Sequence, residues 1–233
     1  MNEFSKDNPY GFKRSEDEEW FIVHDTAVTN TNPGSMVEVK INTEKICENM
    51  TNKEFRGIIQ EILSRAIPLV ELRISALSKW PDSERLRVAN WFGRNGETTR
   101  STLLNGLTRV HSVLCSLTPA NFVRTDSDAD KATGCVPNPA SKGGGEAAHV
   151  CAPDTATHTI SISPRFCTMR QWSAYSDSRV STIIHECTHF ADTMGTLDKK
   201  YTIVPQLMDW GKANPDLAII NADSVAGYVV WGD

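Results

Sequence analysis

Two histidines four residues apart, with a glutamate directly after the first, stand in the stretch HECTHFADTMGTLDKKY, residues 185 to 201. Imidazoles at i and i+4 of a helix project side by side and can meet one Zn²⁺. His185 and His189 are therefore candidate metal ligands. Glu186 lies about 100° round the helix from His185, beside such an ion rather than on it. From there it can take a proton from a metal-bound water, whose pKa the ion lowers to about 7.

A catalytic zinc needs a third protein ligand and one position left for water. No histidine follows His189, no glutamate follows Glu186 and no cysteine follows Cys187. The strong ligands left downstream are aspartates: Asp192, Asp198, Asp209, Asp216, Asp223 and Asp233. Asp192 shares the histidine face, but its short carboxylate, one turn on, is badly placed to reach the same ion. Gly195 can end the helix in a left-handed conformation and turn the chain back, which brings Asp198 to the site.

The element that must carry these residues is legible. Val180, Ile183, Ile184, Cys187, Ala191 and Met194 recur at helical spacing and predict an amphipathic helix over 178 to 194, capped by Asp177 or Ser178. Upstream, Ile58, Ile59, Ile62, Leu63, Ala66, Ile67 and Val70 predict a helix from Lys53 towards Trp80, which Pro68 should kink or split. Ser83 is placed to cap a shorter helix, 84 to 92, ended by Gly93. Leu103, Leu107, Val110, Val113, Leu114 and Leu117 mark another. Residues 125 to 157 are rich in Asp, Gly, Pro, Ser and Ala and read as long loops, including the three glycines 143 to 145. THTISIS, 157 to 163, alternates polar and apolar residues and predicts a strand. The first fifty residues are polar and mixed, with possible strands at 20 to 23 and 36 to 41.

A chain of 233 residues can bury a sizeable core in one large domain. A net charge of −5 weighs against nucleic acid as a partner. The apolar runs are too short for a membrane span, and the N-terminus shows no signal-peptide pattern. Among the cysteines, Cys115 and Cys187 fall on apolar helix faces as free buried thiols. Cys135, Cys151 and Cys167 lie in or beside loops, where bridging would suit an oxidising compartment. His149 and His158 read as packing or surface residues, and Trp172 and Trp210 as core residues that also have the option of walling a cleft.

HECTH followed by GTLDKKY resembles the signature of the aspzincin metallopeptidases, the deuterolysins and peptidyl-Lys metalloendopeptidases. RVANWFG (87 to 93), the strand THTISISPRFC and NADS (221 to 224) are similar to further family segments, so the resemblance covers roughly residues 55 to 228. It implies one zinc ion held by His185, His189 and Asp198, with Glu186 as general base. It also implies Tyr201 as hydrogen-bond donor to the oxyanion and Asp223 as a substrate-binding acid for a basic side chain. The sequence departs from the family at 225 to 227, Val-Ala-Gly, where lysine-specific members carry a second acid. Strict lysine preference is therefore not expected.

The expected fold class is α+β: a zincin-like domain over 53 to 233, with N-terminal helices, a small sheet and a long active-site helix, after an extension over 1 to 52. The expected activity is that of a zinc endopeptidase acting on a protein or peptide substrate. With no leader visible, it is expected to be secreted or delivered as a bacterial toxin or effector, with a cognate immunity or inhibitor protein as a further partner. The rival readings are a zinc amidase acting on cell-wall crosslinks and a non-catalytic binding module.

Overall fold

The structure is a computed structural model that describes residues 44–135, 145–201 and 203–232. The strands expected at 20 to 23 and 36 to 41 lie outside those residues.

Helix α1, Asn52–Lys79, opens on a capping box in which the Thr51 hydroxyl accepts from Glu54 N and the Glu54 carboxylate accepts from Thr51 N. It buries Phe55, Ile59, Ile62, Leu63, Ala66, Val70 and Leu77 along one stripe. Pro68, expected to kink or split this helix, lies inside it without splitting it. Pro68 and Ser64, whose carbonyl loses its partner to the missing N–H, are both exposed, so water can satisfy that carbonyl while the buried stripe keeps the helix in place. Helix α2, Asp82–Phe92, starts after Pro81 rather than on a Ser83 cap, and Gly93 ends it with φ 65°. Helix α3, Glu97–Ser116, packs against α1.

Three short strands form one sheet in the order β1-β3-β2. Strand β1, Phe122–Arg124, runs parallel to β3, Ile160–Ile162, and β2, Ala148–Val150, runs antiparallel to β3. All three residues of β3 are buried, so the central strand lies between covered faces. The loops expected over 125 to 157 hold helix α4, Asp128–Ala132, and β2; residues 136–144 lie outside the described set. Helix α5, Pro164–Thr168, follows the sheet, and α6, Arg179–His189, follows that. Helices α7, Pro205–Ala213, α8, Pro215–Ala218, and α9, Ala222–Val230, complete the described fold.

Two disulfides tie these pieces together, Cys47–Cys167 and Cys135–Cys151. The first fastens the segment before α1 to α5, where Asn49 Nδ2 also donates to Cys167 O at 3.2 Å. Cys187 is a buried free thiol as expected, but Cys115 is exposed. The apolar stripe of α3 runs through Val110 and Leu114, and one residue further round the helix Cys115 faces outward beside His111. No helix among the described residues is long and apolar enough to cross a membrane.

Candidate metal centre and catalytic cleft

Ser178 caps α6: its hydroxyl accepts from Ser181 N, and the Ser181 hydroxyl accepts from Ser178 N. The helix ends at His189, short of the expected 194, and is three turns long rather than a long helix. Ala191, assigned to the apolar stripe, is exposed beyond the helix end. The stop is local. Thr193 folds back so that its hydroxyl donates to Cys187 O and Phe190 O, and Gly195, with φ 57°, turns the chain. Helix α3 holds this turn from outside. Arg109 Nε donates to Thr193 O at 2.6 Å, and Met194 lies over Gly106, where a Cβ would stand 2.6 Å from Met194 Cγ.

The turn returns the chain to the histidines. Thr196 N donates to Thr188 O at 3.1 Å, and the two threonine hydroxyls meet at 2.6 Å. Asp198 then arrives where its Oδ1 is 3.1 Å from His185 Nε2 and 3.3 Å from His189 Nε2, while the two Nε2 atoms are 3.0 Å apart. Among the described residues these three form the group whose donor atoms converge as a metal requires. Ligands 2.0–2.1 Å from a tetrahedral centre stand about 3.3 Å from one another, so the spacing fits one zinc ion. The remaining ring nitrogens are engaged as a ligand set needs. His185 Nδ1 donates to Asp223 Oδ1 at 2.6 Å, and His189 Nδ1 donates to Thr196 O at 2.9 Å. Each bond fixes the tautomer that leaves Nε2 facing the site.

The electrostatics follow from this crowding. Burial pulls the His185 imidazole down, but hydrogen bonds to Asp198 and Asp223 outweigh it and hold the ring well above its usual value. His189 is raised in the same way by Asp198 against burial. Asp198 is driven far below the ordinary carboxylate range, because the two histidines facing it outweigh the opposing effect of burial. Burial raises Glu186, a buried carboxylate beside the pair. Tyr201 is 65% exposed and lines the cleft, and its partial burial, then the Asp198 charge, push its phenol up to about 12.

All of these residues line one cleft of about 770 Å³, bounded also by β2, by Glu146 just before it, and by Arg165, Met169 and Asp177. Of the residues expected to act, His185, Glu186, His189, Asp198 and Tyr201 share this cleft, and Asp223 lies within it against His185. Asp192 is elsewhere, 3.0 Å from His158 Nε2. His149 lines the cleft wall, with Nε2 3.0 Å from the buried Asp130 and Nδ1 3.7 Å from Glu146. Trp172 and Trp210 pack against the core and do not line the cleft.

Three residues of this arrangement do not show in the sequence spacing. Thr196 was hidden because it acts through its carbonyl, Asp130 because its partners lie on β2 and β3, and Asn221 because its partners are backbone atoms of Lys199 and Lys200. The sequence signals for Asn221 were its place in NADS, similar to a family segment, and its position before an apolar helix, the ordinary setting of a cap; neither shows which backbone it holds.

Against known proteins, the family model described as lysine-specific metallo-endopeptidase, that of the aspzincins, matches residues 78–230. A solved zinc peptidase from Grifola frondosa shares the fold, with a TM-score of 0.57 and 22% identity over 76% of this chain and 94% of that one. No curated protein matches the chain. The family match takes in α2 through α9, with the converging histidines and aspartate inside it, and covers well over half of the sequence. This protein thus belongs to the aspzincin family and is a zinc metalloendopeptidase using one zinc ion.

Proposed function

We propose that His185, His189 and Asp198 hold the zinc, that Glu186 is the general base, and that α6 is the active-site helix. The observation that carries this reading is the meeting of three donor atoms within 3.0–3.3 Å of one another, each imidazole anchored through its other nitrogen. A zinc ion bound there supplies Lewis-acid activation of water and of the scissile carbonyl. Glu186, beside the donors and lining the cleft, accepts the proton of the attacking water and returns it to the leaving amine. Tyr201 donates its phenolic hydrogen to the carbonyl oxygen as charge develops there. Among the described residues β2 is an outer strand of its sheet, and it lines the cleft, a setting in which an extended peptide can pair with its outer edge.

The substrate is a polypeptide cut without strict lysine preference. Asp223, the one acid matching the family's basic pocket, is engaged by His185. Ala226 is fully buried, and Gly227 lies against the Trp91 ring, so neither offers a carboxylate to the cleft. Two disulfides support a working place outside a reducing cytosol. Delivery as a secreted toxin or effector, countered by an inhibitor in the producing cell, is the biological role that agrees with this.

Mass spectrometry of a peptide library digested by wild type and by Glu186→Gln tests the reading. Cleavage should fall by about 10³-fold or more in the variant while bound zinc stays at one per chain. Undiminished cleavage would remove Glu186 from the mechanism, and a strict lysine requirement would overturn the account of the pocket. Incubation with peptidoglycan separates a cell-wall amidase from a protein-directed enzyme.

A further inference from the structure

Asp198 and Tyr201 lie on a segment outside any helix or ladder strand, yet catalytic side chains must be held within about 0.5 Å of a productive arrangement. Part of the support is a single bridge to the start of α9. Leu197 N donates to Ile220 O at 2.8 Å, and Ala222 N donates to Leu197 O at 3.1 Å. That bridge stops one residue short of Asp198.

From there, Asn221 takes over. Its Oδ1 accepts from Lys199 N at 2.8 Å and from Lys200 N at 2.9 Å, and its Nδ2 donates to Lys200 O at 3.0 Å and to Ser224 Oγ at 3.0 Å. Asn221 is fully buried, so water does not compete for these bonds. It also occupies the N-cap of α9, where an asparagine oxygen ordinarily accepts from the first turn of its own helix. Here that oxygen makes no such bond and serves the neighbouring segment instead. Two residues on, Asp223 turns the other way and fixes His185.

We propose that Asn221 is a positioning residue for the reaction. It holds the turn 198–201 so that the Asp198 carboxylate and the Tyr201 phenol face the histidines before an ion binds. Paired with Asp223, it makes the N-terminus of α9 the gauge that sets the two parts of the ligand group at a fixed separation. This rests on the roles given above to Asp198 and Tyr201.

The test compares Asn221→Ala and Asn221→Asp with wild type. Amide hydrogen exchange is followed at Lys199 and Lys200 in zinc-free protein, zinc affinity by chelator competition, and kcat and KM on a fluorogenic peptide. In Asn221→Ala the two amides should exchange at least tenfold faster, and zinc affinity should fall about 10–100-fold. Its kcat should drop with KM nearly unchanged. Asn221→Asp keeps an oxygen for both amides but loses the donor to Lys200 O, so it should recover part of the protection and affinity that the alanine variant loses. Should the alanine variant not fold, Asn221→Ser takes its place, since its hydroxyl is too short to reach both amides. Unchanged protection at Lys199 and Lys200 overturns the proposal, as does unchanged zinc affinity in the folded variant or equal loss in the alanine and aspartate variants. The exchange arm is independent of the ligand assignment, which an Asp198→Ala variant that still binds zinc and cleaves would overturn on its own.

Discussion

Asp223 and Tyr201 show how differently two residues of one site can contribute. Asp223 is buried and hydrogen-bonded to His185, so with His185 as the proposed zinc ligand Asp223→Ala should weaken zinc binding about 10–100-fold in a chelator competition. Tyr201 is 65% exposed, so Tyr201→Phe should leave the melting temperature and zinc affinity as they are. In its proposed role as oxyanion donor its effect belongs to kcat, a loss of about 10²–10³-fold on a peptide substrate. At this scale much of the candidate site was legible, because His185, Glu186, His189 and Asp198 lie in one short run whose geometry is set by a helix and a turn. Asp223 and Asn221 were harder to read. What each does depends on which distant backbone or ring is folded against it, and no local spacing carries that information.

Among the elements, α6 and α9 carry the centre, and each is shaped by something the hydrophobic pattern does not report. The apolar stripe continues to Met194, but Thr193 and Gly195 end α6 at His189, and only that early stop lets Asp198 reach the imidazoles. α9 is set by Trp91 of α2, whose ring lies where a Gly227 Cβ would be, 2.3 Å from its Cη2. Alanine in place of glycine gains about 1 kcal/mol of helix propensity, but overpacking of this kind costs about 1–3 kcal/mol or more, and a rigid indole cannot yield. Gly227→Ala should therefore lower the melting temperature. It should also lower zinc affinity, because α9 carries both Asn221 and Asp223. The sheet offers a pH test. Glu146 beside the His149 ring, joined by Asp130 and opposed by burial, raises that imidazole from 6.5 to about 9. A group raised on folding contributes stability that is fully present below about 6.5 and is lost as pH rises through about 9. Urea unfolding of wild type and His149→Ala across this range should show a steeper decline in wild type than in the variant, where His185 and His189, raised as well, still contribute.

For the molecule as a whole, helices α1 to α3 and the capped start of α6 could be read from periodicity, since buried stripes and caps are local signals. The pairing of β1 with β3 and of Cys47 with Cys167 could not, because each joins segments far apart in the chain. The Cys47–Cys167 bridge spans a sequence separation of 120 residues, and in the chain-entropy account a loop of that size is worth about 4–5 kcal/mol. Cys135–Cys151, with a separation of 16, is worth about 3 kcal/mol. Cys47→Ser should thus lower the unfolding free energy more than Cys135→Ser, measured by denaturant titration under oxidising conditions. The same bridges have a consequence for an enzyme that works among copies of itself. One cut anywhere between residues 47 and 167 leaves the two pieces joined through sulfur, and a cut between 135 and 151 is spanned by both crosslinks. A molecule nicked by its neighbour in that stretch stays in one piece, so self-digestion there will show as fragments that separate only after reduction.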